Sequence, residues 1–294
     1  MKDPRICIFG EALFDHFPDG KRVLGGAPFN VAWHLQAFGQ TPHFVSRVGN
    51  DPEGETIRAA MHEWGMDTSG LQTDPTYPTG RVEVTIVDDE PAYDIVHPCA
   101  YDAIEIHAAA PDCELLYHGS LGLRDAASRN ALEQLKAHDP GIVFVDVNLR
   151  PPWWQKQRLL DLVHTADWVK LNTEELAQLQ DSCESAQGRA TGFLARHDLQ
   201  GLLLTHGTQG AELFTAGGEH FEVQPGSDIS VIDTVGAGDA FASVMILGLV
   251  KTWPIPLTLQ RAQDFASAIV GNRGATVSTP LFYQSFAKKW RSVA

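Results

Sequence analysis

A glycine-rich turn followed by an aspartate is the clearest chemical feature of the sequence. Residues 233–241 read DTVGAGDAF. Small residues at Gly236, Ala237 and Gly238 let the backbone approach a ligand closely, and the unpaired N–H groups at the start of a following helix attract an anion. Asp239 would lie in the first turn of that helix, where a carboxylate can take a proton from an attacking hydroxyl.

The same residues also fit a purely structural role. Gly-x-Gly-Asp is a common turn, in which Asp239 would serve only as an acid at a helix N-terminus. Two better-known phosphate motifs are excluded, because the chain has no GxxxxGK[ST] and because GAGDAF lacks the third glycine and the early position of a dinucleotide fingerprint. The P-loop and the dinucleotide-binding dehydrogenase interpretations therefore fail.

A second cluster of chemically useful residues lies near the N-terminus, where residues 25–30 read GGAPFN. Gly25 and Gly26 clear space for a bulky polar ligand at the start of a helix. Asn30 offers both a donor and an acceptor, which suits sugar hydroxyls. This segment is therefore a candidate sugar-binding site.

The elements that must position these residues alternate along the whole chain. Short apolar runs predict strands, and the stretches between them, such as 29–38 and 53–64, have helical periodicity. Repeated βαβ units form a mostly parallel sheet with helices on both faces, and their ligands bind beyond the carboxyl ends of the strands. The sequence therefore predicts an α/β fold. The expected strands are 5–10, 44–48, 115–119, 142–147, 168–172 and 201–205.

Two segments break this alternation. Residues 81–96 alternate with period two and turn at Asp89 and Glu90, as an antiparallel hairpin does. Residues 14–24 contain an Asp19-Gly20 turn and could add strands to the same small sheet. Together they predict a β lid, formed by about 14–24 and 79–101, on a single domain spanning 1–294. The lid would cover a cleft or pair with the lid of a second subunit.

Composition excludes several classes of function. The 294 residues include 37 acids against 22 bases, a net charge of −15, so binding to nucleic acid or to an anionic membrane is not expected. The first fifteen residues lack the features of a signal peptide, and we expect a cytoplasmic protein. The twelve histidines form no HExxH motif. The four cysteines form no CxxC pair, and reduced thiols are expected at Cys7, Cys99, Cys113 and Cys183.

Five ordered motifs resemble one family. Residues 25–32 (GGAPFNVA), followed by Gly39 and Gly49, match the N-terminal signature of the ribokinase/fructokinase (PfkB-type) carbohydrate kinases, and DTVGAGDAF resembles their C-terminal signature. Between them, 146–154 (DVNLRPPWW) resembles the D-x-N-x-R-P-P-x-W stretch of fructokinases. The other two are the N-x-x-E pair Asn172 and Glu175, and the turn Thr205-His206-Gly207 with Gly210.

The resemblance implies a ribokinase-like fold and an ATP-dependent sugar kinase that uses Mg²⁺. Asp239 would be the base, beside an anion hole of Gly236, Ala237 and Gly238, with Arg150 near the transferred phosphate. A guanidinium fork and a helix N-terminus can neutralise a moving phosphoryl group. The sugar contacts implied are Asp15, Gly25, Gly26, Asn30, Arg150, Asp239 and Tyr101. For Tyr101 and its neighbour His97, simple surface packing remains the alternative.

The resemblance also implies nucleotide and metal sites. Glu175 would hold Mg²⁺ through water, and a monovalent cation, with K⁺ as the candidate, would lie under the anion hole. Its ligands would be Asp233, backbone carbonyls near Val235, Asn272 and Gly274, and Ser278, although Asp233 could equally cap a turn. Lys170 is interpreted as a solvated surface charge outside the site. The nucleotide contacts implied are Asn172, Thr205, Gly207, Gly210, Gly236, Gly238, Asn272, Gly274 and Ala275.

The motifs most resemble those of fructokinases, so fructose is the expected substrate, with ATP as the second ligand. Ribose, 2-keto-3-deoxygluconate or a nucleoside are the alternatives within the family. A non-catalytic sugar or nucleotide sensor on a kinase fold is the alternative from another class. A homodimer joined through the lids is also expected.

Overall fold

The computed structural model describes residues 5–87, 90–106, 112–180, 185–226 and 230–291. Its main sheet has nine strands in the order β13-β12-β11-β10-β9-β8-β1-β4-β5. The pairs from β5 to β11 are parallel, and β12 and β13 are added antiparallel. The strands are β1 (Ile6–Phe9), β4 (His43–Gly49), β5 (Leu71–Asp74), β8 (Leu115–His118), β9 (Ile142–Asp146), β10 (Trp168–Asn172), β11 (Gly201–Thr205), β12 (Ala211–Thr215) and β13 (His220–Val223).

Helices cover both faces of this sheet, because alternate side chains of each strand point to opposite faces. Ile6 and Ile8 of β1 pack in one hydrophobic cluster, whereas Cys7 and Phe9 pack in another. The first face holds α1 (Ala27–Ala37), α2 (Pro52–Glu63), α7 (Ala237–Val250), α8 (Ile255–Ile269) and α9 (Pro280–Arg291). The second holds α3 (Ala126–Lys136), α4 (Lys156–His164), α5 (Thr173–Leu179) and α6 (Ala186–Arg196).

The expected α/β fold with a mostly parallel sheet is confirmed. The ends of helices agree with the sequence where a capping residue is present. Helix α2 begins after Asp51, whose Oδ1 accepts a hydrogen bond from the Gly54 N–H at 2.8 Å, and it ends before Gly65, which has a φ of 75°. The apolar segment after Asp239 forms α7, as expected, and its residues from Ala240 to Gly248 are buried.

A separate four-stranded sheet forms the lid, in the order β3-β2-β6-β7. Its strands are β2 (Leu13–His16), β3 (Arg22–Gly25), β6 (Gly80–Val87) and β7 (Glu90–Ile95), with β2 parallel to β6 and the other pairs antiparallel. The sequence predicts the turn of this hairpin at residues 89 and 90. Residue 89 lies outside the described residues, and Glu90 already belongs to β7, where it pairs with Val87. Phe14 and Val84 are buried within the chain, so part of the apolar lid face needs no further cover.

The expectation of reduced thiols is wrong for two cysteines. Cys7 and Cys113 form a disulfide with a Cα–Cα distance of 5.8 Å, although 106 residues separate them in the sequence. Strands β1 and β8 are neighbours in the sheet, and Cys113 lies two residues before β8. Cys99 is free and buried, and Cys183 lies outside the described residues. Among the residues described, no helix has both the length and the apolar composition needed to cross a bilayer.

Candidate active site

A cleft of about 510 Å³ lies where the carboxyl ends of the central strands meet the lid. The strands β1, β9, β10 and β11 contribute their last residues or the loops that follow, and α7 contributes its first turn. Its charged and polar wall consists of Glu11, Asp15, Asn30, Asp146, Asn148, Arg150, Lys170, Asn172, Glu175, Thr205, Thr234 and Asp239. The cleft is therefore located as the parallel topology predicts.

A second cavity of about 330 Å³ adjoins the cleft and shares Leu121, Asn148 and Arg150 with it. Its remaining wall includes Trp153 and Trp154. The larger cavity is the candidate active site, because it contains the first turn of α7.

Asp239 and Asn30 are in direct contact in this cleft. The Asn30 amide Nδ2 donates a hydrogen bond to Asp239 Oδ2 at 2.8 Å. Burial raises the pKa of Asp239 to about 6, while the hydrogen bond from Asn30 and the positive charges of Lys170 and Arg150 act in the opposite direction. At neutral pH Asp239 is therefore mostly an ionised carboxylate that can accept a proton.

The start of α7 is an open anion site. The residue before the helix, Gly236, has a φ of 81°, and the helix has no side-chain cap. A Cβ at Gly238 would lie 3.2 Å from Lys170 Nζ, so the absence of a side chain brings the ammonium close to the backbone. The start of α7 and the Lys170 ammonium therefore face the same space, which Gly236 and Gly238 line. Ala237, in contrast to the expected anion hole, does not line the cleft, and its N–H donates to the Thr234 carbonyl at 3.3 Å.

Lys170 is not a solvated surface charge, and the expectation that excluded it from the site is wrong. Its side chain is only 10% exposed, and Nζ donates to both oxygens of Asp146 at 2.7 and 2.9 Å. The two residues occupy paired positions on the adjacent strands β9 and β10. Burial opposes the charge of Lys170, but attraction to Asp146 outweighs it and raises the pKa of Lys170. The ammonium therefore remains charged in the cleft.

Glu175 and Asn172 hold each other in place at the start of α5. Asn172 Oδ1 accepts from the Glu175 N–H at 2.8 Å, and Glu175 Oε2 accepts from the Asn172 N–H at 2.8 Å. Glu175 Oε1 accepts from the Leu149 N–H at 3.2 Å. Burial raises the pKa of Glu175. Because both oxygens already bond the backbone, the carboxylate fits a metal held through water better than direct coordination.

Arg150 lies among three carboxyl groups of the cleft. Its positive charge lowers the pKa of Asp15, Glu11 and Asp239, although burial raises each of them more strongly. Asp15 belongs to the lid strand β2, and Gly26 is the residue that precedes α1. Gly26 has a φ of 105°, and a Cβ there would lie 2.6 Å from the Glu11 carbonyl oxygen. Only glycine fits at this position. Gly25 lines the same wall.

Tyr101 does not line the cleft, in contrast to the expected sugar contact. Its side chain is fully buried, with the Arg124 guanidinium 5.0 Å from the ring centroid. After β7 the chain turns into a short 3₁₀ helix, Ala100–Ala103, which packs against β4 and α3, and the Tyr101 ring packs against Gly80 of the lid strand β6 in the core beneath the lid. His97 bonds Asp125 at 3.0 Å and lies beside Trp153. The lid aromatic residue that lines the cleft is Tyr93, which is 60% exposed.

The implied nucleotide contacts divide into two groups. Asn172, Thr205, Gly236, Gly238 and Ala275 line the cleft. Four others lie in turns beside it rather than in its wall: Gly207 and Gly210 follow β11, and Asn272 and Gly274 follow α8.

Two of the residues implied for the cation site, Val235 and Gly274, are hydrogen-bonded to Asp233. Asp233 Oδ1 accepts from the Val235 N–H at 3.0 Å, and Oδ2 accepts from the Gly274 N–H at 2.9 Å. Asp233 thus joins the loop before α7 to the turn after α8. These two bonds correspond to the turn-capping role that the sequence predicts as the alternative to cation binding. Each carboxylate oxygen has a further lone pair for a cation. The Asn272 amide donates to the Ala268 carbonyl at 2.8 Å, and Ser278 is exposed.

Sequence reasoning missed Glu11, Lys170 and Tyr93 in the cleft wall. Glu11 and Lys170 lie at or just after strand ends, so the rule that places ligands beyond the carboxyl ends of strands could have found them. Tyr93 lies on the alternating hairpin, where periodicity alone does not show which face turns inward.

The cleft combines a carboxylate that can accept a proton, an uncapped helix N-terminus, two cationic side chains and polar groups suited to hydroxyl recognition. Together these groups are suited to the transfer of an anionic group, such as a phosphoryl group, to a hydroxyl.

Comparisons with known proteins agree with this chemistry. The profile of the family described as pfkB family carbohydrate kinase matches residues 7–281. A fructokinase of Klebsiella pneumoniae is 32% identical over 263 residues, covering 83% of this chain and 84% of that protein. An aminoimidazole riboside kinase of Salmonella typhimurium is 28% identical, covering 94% and 92%. The crystal structure of fructokinase from Vibrio cholerae O395 in fructose, ADP and calcium ion bound form matches with a TM-score of 0.81 and 26% identity, covering 97% of this chain and 99% of that one.

Proposed function

The chain belongs to the pfkB family of carbohydrate kinases, and from this premise we propose that it is a fructokinase that transfers the γ-phosphoryl group of Mg-ATP to a fructose hydroxyl. The family assignment makes it a sugar kinase rather than a non-catalytic sensor; the sugar is the proposal. The observation that carries the mechanism is the Asn30–Asp239 contact at the uncapped start of α7. We take the chain as one kinase domain with a β lid.

Asp239 acts as the general base. It is held by Asn30 in the first turn of α7, and its pKa of about 6 leaves it ionised at neutral pH. It accepts the proton of the attacking hydroxyl as the new phosphate ester bond forms. Gly236 and Gly238 line the same space and supply the anion site, whereas the Ala237 N–H donates to the Thr234 carbonyl.

Arg150 and Lys170 supply the positive charge. Lys170 is fixed by Asp146 and lies next to Gly238, whereas Arg150 is exposed and acts on the three carboxyl groups of Asp15, Glu11 and Asp239. Preorganised cations stabilise charge that spreads over a transferring phosphoryl group. Lys170 therefore positions the phosphate, and Arg150 stabilises the phosphoryl group while it moves from the nucleotide to the sugar.

Asp15, Gly25, Gly26 and Asn30 bind the sugar. They lie together where the lid strand β2 meets the start of α1, next to Asp239. Fructose is favoured because the Klebsiella and Vibrio proteins are fructokinases and the Vibrio structure contains fructose. The Salmonella relative phosphorylates a riboside by its name, so a riboside is the second candidate.

The nucleotide lies on the α7 side of the cleft, along Asn172, Thr205 and Ala275. Val231 and Ile232, in the loop before α7, are 55% and 60% exposed and offer an apolar surface to a base. Glu175 holds Mg²⁺ through water, and the metal offsets phosphate charge when bound. Asp233 and the neighbouring carbonyls hold K⁺. Gly207, Gly210, Asn272 and Gly274 shape the flanking turns.

A substrate panel tests this function. The purified chain is assayed with Mg-ATP and fructose, ribose, 2-keto-3-deoxygluconate or aminoimidazole riboside, with and without K⁺, and with EDTA as the metal-free control. We expect the highest kcat/KM for fructose and no turnover with EDTA. A higher kcat/KM for another sugar would replace fructose while leaving the kinase assignment intact.

We also propose that two copies pair through their lids. Phe17 and Tyr93 of the lid are 37% and 60% exposed, which leaves aromatic surface for a partner.

A further inference from the structure

A buried carboxyl group that the mechanism does not use lies in the cleft. Glu11 follows the central strand β1, lines the cleft and is only 3% exposed. Within the described part of the chain, its Oε2 atom has no hydrogen-bond partner. A Cβ at Gly122 would lie 3.2 Å from that oxygen, and the backbone N–H groups of Gly122 and of Glu11 itself interact with the carboxyl group, but neither makes a hydrogen bond to Oε2.

An unsatisfied buried oxygen is costly unless something occupies the space it faces. The space here is the cleft that also contains Asp239 and Asn30. Both oxygens of Asp146 in the same region have side-chain donors, Lys170 and Tyr117, whereas among the described residues no side chain donates to Oε2 of Glu11. The missing partner of Glu11 is therefore a ligand in the cleft.

The charges around Glu11 favour its neutral form. Burial is the largest influence and raises the pKa of Glu11 to about 7, and the negative charge of Asp239 acts in the same direction. The backbone N–H groups of Glu11 and Gly122 and the charge of Arg150 oppose this shift without cancelling it. The other titratable groups that face it, Tyr101 and Tyr117, have pKa values well above 10 and stay neutral. Near neutral pH, Asp239 is thus mostly ionised, whereas about half of the Glu11 carboxyl groups are protonated, so the two carboxyl groups can perform different tasks.

We propose that Glu11 is a substrate-contacting residue, which donates a hydrogen bond from its protonated carboxyl group to an oxygen of the acceptor sugar and so holds the reacting hydroxyl against Asp239. This rests on the proposed sugar kinase function. A protonated carboxyl is a donor, whereas Asp15 and Asp239 as carboxylates only accept. The site then contains both a hydrogen-bond donor and hydrogen-bond acceptors for the hydroxyl groups of a sugar.

Two variants test this role through separate readouts. Glu11→Ala removes the contact, and we expect the KM for the sugar to rise about 10-fold or more while the KM for ATP is unchanged. Glu11→Gln keeps a neutral donor that does not titrate. The wild type should lose kcat/KM at alkaline pH as Glu11 ionises, and the Glu11→Gln variant should lose this alkaline decline while keeping the acidic limb that belongs to Asp239.

The matched control is Glu63→Gln, an exposed residue of α2 that should behave as the wild type. Thermal melting of each variant identifies any loss of fold, and Glu11→Gln, which conserves shape, carries the test if Glu11→Ala does not fold. The proposal is overturned if Glu11→Gln keeps the alkaline decline, or if a folded Glu11→Ala variant has the wild-type KM for the sugar. A wild type that phosphorylates no sugar would instead refute the proposed function.

Discussion

Asn30, in the first turn of α1, donates its side-chain amide to Asp239, in the first turn of α7, across 209 residues of sequence. The two motifs that resembled a kinase signature therefore form one site. The helices α1 and α7 pack together on the same face of the sheet, which fixes the distance. The group suited to hydroxyl recognition and the group suited to proton transfer thus contact each other directly.

Asp239→Asn removes the proton acceptor and keeps the shape of the side chain. We expect turnover to fall by about 10²-fold or more, with the fold and ATP binding retained. Steady-state kinetics and nucleotide titration of the purified variant measure both effects. Turnover at the wild-type level would exclude Asp239 as the base.

Asn30→Ala removes the hydrogen bond that favours the ionised form of Asp239. The pKa of Asp239 should therefore rise from about 6, so the acidic limb of the kcat/KM profile should move to higher pH. The loss relative to wild type should be larger at pH 6 than at pH 8. A profile measured across this range with an unchanged acidic midpoint would contradict the proposed coupling.

Arg150→Ala removes a positive charge that faces Asp15, Glu11 and Asp239. Because stabilisation of a moving phosphoryl group increases toward the transition state, kcat should fall about 10²-fold or more while the Kd for ATP changes little. Arg158→Ala, an exposed residue of α4, is the control. A variant that loses only thermal stability would make Arg150 structural.

Lys170→Met leaves the buried Asp146 carboxylate without its ion-pair partner. We expect the free energy of unfolding to fall by about 3–5 kcal/mol, because an uncompensated buried charge is strongly unfavourable. The double variant Lys170→Met/Asp146→Leu should recover part of this loss, as both charges are then gone. Urea unfolding of the two variants measures the difference, and equal stability of the single variant and the wild type would contradict the pairing.

Pairing through the lids predicts a dimer at micromolar concentration. Light scattering should give twice the mass of the 294-residue chain, and Tyr93→Glu should reduce it to the monomer, since a charge would be buried in the interface. Glu55→Gln, on the exposed part of α2, serves as the control. A monomeric wild type in the presence of substrate would leave the lid as an intramolecular cover.

The sequence by itself determined the α/β fold class and the two motifs, residues 25–30 and 233–241, that contribute to the site. Strands β10 and β11 were predicted with the bounds that the structure has, because apolar runs between turn residues are local signals. The glycines at 26 and 236 marked backbone conformations that other residues rarely adopt, and both have positive φ values. Such features depend on a few neighbouring residues and are therefore readable along the chain.

Only the tertiary structure decided which of these residues meet. Lys170 is a buried member of the site because Asp146 occupies the paired position on the next strand. Glu11 Oε2 has no hydrogen-bond partner among the residues that the structure describes, because β1 ends in the cleft. Tyr101 is buried in the core because its ring packs against Gly80 of the lid strand β6, and Cys7 meets Cys113 because β1 lies beside β8. Each outcome depends on strand order and on the side to which a side chain points, and these are long-range properties that local periodicity does not contain.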